Sequence, residues 1–224
     1  MSSSETIALI LSGLALGVQH SFDGDHIVAV SAIVSRSKSL ERSALLGTLW
    51  GTGHTTALLI VGIAVLIFRI SIPKSAENLF EALAGAALVA IGIFVIVNVR
   101  RMHPHGHRHK HGSTKHAHEH DHGIEPEHHQ HHVTFLVGTI QGLAGSAGLM
   151  LVILSTINSI TIGLAYILFF GIGSIIGMVM MATLMSLPHL KTSTFPDINK
   201  LLSSVAAIAS IGFGFYLIYS HTII

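Results

Sequence analysis

The sequence predicts an all-α integral membrane protein with six transmembrane helices, arranged as two inverted three-helix repeats. Three observations predict it. Half of the 224 residues are hydrophobic and only 10% are charged, against about a quarter in ordinary soluble domains. Apolar stretches of roughly 20 residues or more, the length that crosses a bilayer, recur along the chain. Short glycine-containing motifs in the first half return in the second.

The hydrophobic runs place the spans at about 7–34, 44–68, 79–99, 133–156, 159–187 and 201–220. The last of the first three and the first of the last three are separated by a long polar loop. Spans four and five meet at a minimal turn near Asn158. Met1 to Thr6 is short, polar and free of basic residues, unlike the start of a cleavable signal peptide. The first hydrophobic segment is therefore expected to be retained. The chain divides into a first repeat at 1–100, a loop at 101–132 and a second repeat at 133–224.

Lysine and arginine orient the spans. With the N-terminus outside, the cytoplasmic loops hold Arg36, Lys38, Arg42, Arg100, Arg101, Arg108, Lys110, Lys115, Lys191 and Lys200, and the exterior holds only Arg69 and Lys74. Cytoplasmic loops of membrane proteins carry such an excess of basic residues. Both termini are then outside a cell membrane, and the long loop is cytoplasmic.

The repeat is weak but ordered. Gly17-Val18-Gln19 resembles Gly138-Thr139-Ile140-Gln141, with one residue more in the second copy. Trp50-Gly51-Thr52-Gly53-His54 resembles Phe170-Gly171-Ile172-Gly173-Ser174, and Ile91-Gly92 resembles Ile211-Gly212. The step from Gly51 to Gly92 equals that from Gly171 to Gly212. Three spans per half force the second half to enter from the opposite side, as in many secondary transporters.

Composition excludes some chemistry. With no cysteine, there are no disulfides, thiolate ligands or cysteine nucleophiles. A formal net charge of +1 argues against nucleic acid as a partner, because phosphate binding needs a concentrated basic face. No resident cofactor is implied.

The informative stretch lies inside the first span: Gln19-His20-Ser21-Phe22-Asp23-Gly24-Asp25-His26. Each Asp near the centre of a span costs about 2.5–3.5 kcal/mol, so such groups persist when paired, solvated or bound to an ion. On a regular helix His20, Asp23 and His26 share roughly a 120° arc, and Asp25 falls elsewhere. Gly24 permits unwinding there, which would turn Asp25 inward and free backbone carbonyls. In the second span His54 follows Gly51 and Gly53, small residues that let helices approach closely. His20, Asp23, Asp25, His26 and His54 are thus the candidate metal ligands. Imidazole and carboxylate without thiolate suit Ni²⁺, Co²⁺, Zn²⁺ or Mn²⁺ better than Cu⁺. Gln19, Gln141 and Ser146 are candidate polar support. A structural polar network or a proton relay is the competing explanation.

These residues resemble the nickel/cobalt transporter family. Its signature, H-x4-D-H, often H-A-x-D-A-D-H, stands here as His20-Ser21-Phe22-Asp23-Gly24-Asp25-His26. Its glycine-flanked histidine in the next helix looks like Leu49-Trp50-Gly51-Thr52-Gly53-His54-Thr55. The resemblance implies that His20, Asp23, Asp25, His26 and His54 are critical for transport. The better-known uptake members have eight spans; six is the number in shorter, urease-accessory-like members. A His-rich cytoplasmic loop is shared with efflux members, so both directions stay open at this point.

That loop concentrates histidine. His103, His105, His107, His109, His111, His116, His118, His120, His122, His128, His129, His131 and His132 account for most of the 18 in the chain. Such a tract is expected to lack structure without metal and to buffer or hand off ions. Met178, Met180, Met181 and Met185 are expected to fill packing gaps, and His189 and His221 to lie at span ends.

Other classes fit less well. Gly145-Ser146-Ala147-Gly148 lacks the G-x-S spacing of rhomboid-like proteases, and no H-E-x-x-H stands in the chain. A sensor or storage protein using only the His loop would not need charges inside the first span. The sequence thus reads as a transporter of Ni²⁺ or Co²⁺ whose partners are the divalent ion and the lipid bilayer. It carries no ATP-binding motif. An ion gradient, the membrane potential or a partner chain would supply the energy, and a cytosolic metallochaperone could receive the ion.

Overall fold

The structure is a computed structural model that describes residues 2–35, 37–69, 73–101, 107–111, 114–118, 127–144, 154, 157 and 159–222. Among the described residues, apolar runs form helices where the sequence places spans. In order they are α1 (Ser3–His20), α2 (Gly24–Val34), α3 (Leu40–Phe68), α4 (Lys74–Arg101), α5 (Glu127–Leu143), α6 (Ile160–Lys191) and α7 (Pro196–Thr222). Local signals explain their starts. Ser2 caps α1 in a capping box with Glu5, the Glu5 N–H donating to the Ser2 hydroxyl at 3.3 Å and the Ser2 N–H to the Glu5 carboxylate at 2.8 Å. Ser39 caps α3 and Ser159 caps α6. Pro196 opens α7, where its missing N–H costs nothing. Arg69 ends α3 in the left-handed region, with φ 52°.

The protein is a multi-pass helical membrane protein. Helices α3, α4, α6 and α7 are long and apolar enough to cross a bilayer, and α1 with α2 makes a fifth crossing if taken as one bent span. Large apolar side chains face outward around the bundle, among them Ile60, Phe68, Leu168, Leu201, Ile208 and Phe215, as lipid demands. The span expected at 133–156 begins as α5, but 145–153 and Asn158 lie outside the described residues.

The first expected span differs from a continuous helix. It breaks at Ser21-Phe22-Asp23, and α2 leaves α1 at 56°. The break redirects the chain: α1 lies along α6, whereas α2 packs mainly on α7, α4 and α6. The break frees the Ser21 and Phe22 carbonyls, as expected: they accept no hydrogen bond among the described residues, whereas the carbonyls just before them are bonded. Gly17, Gln19 and His20 oxygens accept from the N–H groups of Ser21, Phe22 and Asp23, and the Val18 oxygen accepts from the Ser21 hydroxyl.

The long loop also differs from expectation. His107–His111 (β1) and Thr114–His118 (β2) pair antiparallel, His107 opposite His118 and His111 opposite Thr114. Histidines at every second position have the period of a strand. The hairpin is confined to the loop and the described body is all-helical, as expected; α5 already begins at Glu127, within the expected loop.

The helix pairs α4–α7, α3–α6, α1–α6 and α3–α5 form the body. Exchanging the halves, α1 with α5 and α3 with α6, maps this pattern onto itself. Single residues obey the same exchange. A side chain on Gly17 would overlap the Phe170 carbonyl, and one on Gly138 the Trp50 carbonyl. Gly173 meets Leu14 as Gly53 meets Phe135, and Gly51 meets Ile175 as Gly171 meets Thr55. The Ile91-Gly92 and Ile211-Gly212 match is not mirrored: Gly92 is tight against Ala207, but Gly212 has open space.

The core has two parts. Ala29, Trp50, Leu88, Met178, Met181 and Ala207 belong to one, and Leu58, Leu154, Tyr166, Ile167 and Phe170 to the other. Met178 and Met181 are fully buried, Met185 packs against the first part and Met180 is exposed. Met178, Met181 and Met185 thus sit as packing residues, as expected, and Met180 faces outward.

Candidate metal centre

The break in the first span positions the site. His20 is the last residue of α1, and His26 lies in the first turn of α2. The bend turns the two imidazoles toward each other, their ring centroids 4.6 Å apart. His54 enters from α3, its ring centroid 5.1 Å from that of His20 and 5.1 Å from that of His26. Each ring offers one nitrogen to a group whose members all lie within 4.8 Å of one another. Among the described residues no other such group of three His, Asp or Glu occurs.

The carboxylates do different work from the imidazoles. Asp23 caps the start of α2 in an extended conformation, and its Oδ2 lies 2.7 Å from Nδ1 of His20. Asp25 Oδ1 lies 3.0 Å from Nδ1 of His26. A carboxylate accepts, so each ring donates from Nδ1 and keeps Nε2 as a bare acceptor. Carboxylate–histidine pairs hold metal ligands in this tautomer. Nε2 of His20, Nε2 of His26 and both nitrogens of His54 are buried and make no hydrogen bond. Buried polar atoms without partners are rare, and three convergent imidazoles need one. An ion that accepts lone pairs fits this donor set; a proton donor would fit only one nitrogen at a time.

The site is walled by the second half. The Phe170 ring stacks on His20 at 5.8 Å. The absence of a side chain at Gly17 lets α1 reach α6 one turn before His20, and Gly142 does the same for α5 against His54.

The residues expected from sequence separate into groups. His20, His26 and His54 converge. Asp23 and Asp25 stand behind two of them. Asp23 is half exposed, and Asp25 is largely covered. Gln19 is exposed on α1, whereas its expected role is polar support within the site. Gln141 is buried, with neither amide atom hydrogen-bonded. Ser146 lies outside the described residues. Of the loop histidines, the structure describes only the backbone or partial exposure of some; His103, His105, His120 and His122 lie outside the described residues. His189 and His221 sit near the ends of α6 and α7, apart from the three. Sequence reasoning missed Phe170 and Ser174. The resemblance of the Trp50–His54 and Phe170–Ser174 segments already marked them.

The chain is 34% identical over 220 residues to the urease accessory protein UreH of Bacillus sp. (strain TB-90), covering 98% of this chain and 94% of that one. It is 24% identical to the chloroplast proteins FOR GROWTH AND FERTILITY 2 and 1 of Arabidopsis thaliana, over 97% and 93% of its own length. It spans 58% of each of those two. No family model and no solved structure matches.

Proposed function

The chain belongs to the family of the urease accessory protein UreH, and from that premise we propose that it carries Ni²⁺, or Co²⁺, into the cell through the His20–His26–His54 site. Its kinship is with an accessory protein, and it is not an enzyme.

The observation that carries this reading is the convergence of three buried imidazoles with unpartnered nitrogens inside an apolar bundle. An ion held about 2 Å from each nitrogen needs them closer than their widest spacing, and ring rotation supplies that. Ni²⁺ and Co²⁺ favour nitrogen donors. Asp23 and Asp25 offset the ion's charge in a medium where unpaired charge is costly. This is the ligand set that the nickel/cobalt transporter resemblance implies.

The exchange of contacts between the halves supports six spans in two inverted repeats around α3 and α6. The excess of basic residues supports exterior termini and a cytoplasmic His tract. In an inverted repeat the site is reached alternately from either side. The membrane potential favours entry by about 2.3 kcal/mol per charge per 100 mV, and the His tract would capture what enters. No specific partner chain is implied.

Radiolabelled Ni²⁺ flux into liposomes holding the purified chain, with Co²⁺ and Zn²⁺ as competitors, tests the reading. Saturable entry, competed by Co²⁺ and absent from His54→Ala, is expected. Flux indifferent to His54 would overturn it.

A further inference from the structure

The exchange of the halves gives two of the three imidazoles, His20 and His54, a counterpart among the described residues. The Gly17 to Gly138 and Leu14 to Phe135 correspondences shift α1 by 121 positions onto α5 (17 to 138). The Trp50 to Phe170 and Gly53 to Gly173 correspondences shift α3 by 120 onto α6 (53 to 173). By the same shifts Gln141 stands where His20 stands, and Ser174 where His54 stands. Sequence alignment alone pairs Gln141 with Gln19; packing moves the pairing by one residue.

The counterparts share more than position. Gln141 is 1% exposed and Ser174 fully buried. Neither amide atom of Gln141 nor the Ser174 hydroxyl has a hydrogen-bond partner. A buried hydroxyl or amide left so costs about 1–3 kcal/mol. Most hydroxyl side chains in this bundle avoid that cost by bonding a carbonyl on their own helix, as Thr48, Thr52, Thr56 and Thr183 do. Ser174 does not. Both residues border the imidazole site: Gly142, next to Gln141, packs on the His54 backbone, and the Ser174 backbone lies against Gly17 on α1.

We propose that Gln141 and Ser174 form a second station for the transported divalent ion, the neutral mirror image of the imidazole site. It rests on the transport reading above. The amide Oε1 and the hydroxyl Oγ are hard, uncharged donors, weaker for Ni²⁺ than imidazole. An ion there keeps part of its water shell, and the Gln141 N–H groups hold one such water. A strong site on one half and a weak one on the other lets an ion bind and still leave, which conduction through successive sites requires.

The test uses the full chain in phosphatidylcholine–phosphatidylglycerol liposomes and Ni²⁺ as probe. Gln141→Leu and Ser174→Ala should each lower maximal Ni²⁺ flux about tenfold, the scale of one lost bond to a charged group. The Ni²⁺ binding that His54→Ala removes should stay within about twofold of the parent, since the imidazoles are untouched. Ser174→Ala deletes a single oxygen, so a matching melting temperature will show that the fold is kept. Gln141→His combined with Ser174→His should retain one more tightly bound Ni²⁺ per chain than the parent and carry less. Flux at the parent level in both single variants, or no extra Ni²⁺ held by the double variant, overturns the proposal. A parent without Ni²⁺ flux overturns the transport reading instead, and the retention measurement then decides the station by itself.

Discussion

Nδ1 of His26 donates to Oδ1 of Asp25 at 3.0 Å, between neighbouring residues in the first turn of α2. The bond fixes which nitrogen His26 presents to His20 and His54. It also places a carboxylate at a helix N-terminus, where the helix dipole favours negative charge. On an unbroken helix Asp25 would point away from the ring of His20. The break at Ser21–Asp23 lets Asp25 orient one imidazole of the site while Asp23 orients the other.

Asp25→Asn should therefore weaken Ni²⁺ binding and flux by about 10- to 100-fold, the range for partners of metal-bound histidines. The amide keeps the shape but can pin the other tautomer. Removing a carboxylate from within a span also relieves its desolvation cost, so the variant should melt no lower than the parent. Flux per folded molecule, measured beside the melting temperature, checks this. An inactive variant that also unfolds early would mark Asp25 as structural.

His26→Ala and His54→Ala should each abolish stabilisation by metal. Ni²⁺ at 100 times its dissociation constant stabilises the folded parent by about 2.7 kcal/mol, and this appears as a rise in melting temperature. Each variant removes one of three nitrogen donors and should show little of that rise. Thermal melts with and without Ni²⁺ read it directly. Equal stabilisation in all three proteins would show that the ion binds elsewhere.

Much of this is legible in the sequence. Charge inside an apolar stretch is costly, so His20, Asp23, Asp25, His26 and His54 stood out by chemistry alone, and Gly24 marked where the helix could give way. The division of labour was not legible. A helical wheel puts Asp23 beside His20 and His26 as a ligand, but capping geometry at the break turns it to the His20 ring from behind. Gln19 and Gln141 looked equivalent because both follow a glycine. The one-residue difference in spacing puts Gln19 outside and Gln141 inside. The sequence marks Ser174 only as the counterpart of His54; its missing bond is not legible there, because a serine in an apolar helix ordinarily bonds its own backbone.

The His tract should be separable from the path. Arg42 donates to the Gln130 side chain at 2.7 Å, so the helical base of the tract belongs to the body. A deletion of 103–126, which spares α5, should keep the fold and most of the flux at saturating Ni²⁺. It should lower accumulation when the ion is scarce. Uptake at high and low Ni²⁺ checks both parts, and complete loss of flux from a well-folded deletion would place the tract in the path.

A reporter fused after Ile224 should read as exterior, and one inserted near Gly112 as cytoplasmic. The excess of basic residues predicts this, and the three spans proposed between the two sites require opposite sides. Activity of both reporters on one side would remove either a span or the orientation.

The mirrored glycines yield the last prediction. Gly17 on α1 seats the carbonyl of Phe170, and Gly138 on α5 seats that of Trp50. In each case the obstacle is backbone, which a side chain cannot push aside without moving the helix. Gly17→Ala and Gly138→Ala should each destabilise the protein by about 1–3 kcal/mol, the usual cost of overpacking. Ala at Gly212, which faces open space, should be neutral or slightly stabilising, because Ala suits a helix better than Gly. Their effects on the metal site should differ in kind. Gly17 lies one turn from His20, so its substitution shifts a ligand and should lower Ni²⁺ affinity. Gly138 lies one turn from Gln141, so its substitution should spare affinity and lower flux. Melting temperatures, with Ni²⁺ binding measured on the same samples, test the pair together. Tolerance of Ala at Gly17 with loss of stability at Gly138 would break the equivalence of the two halves at the contact where it is tightest.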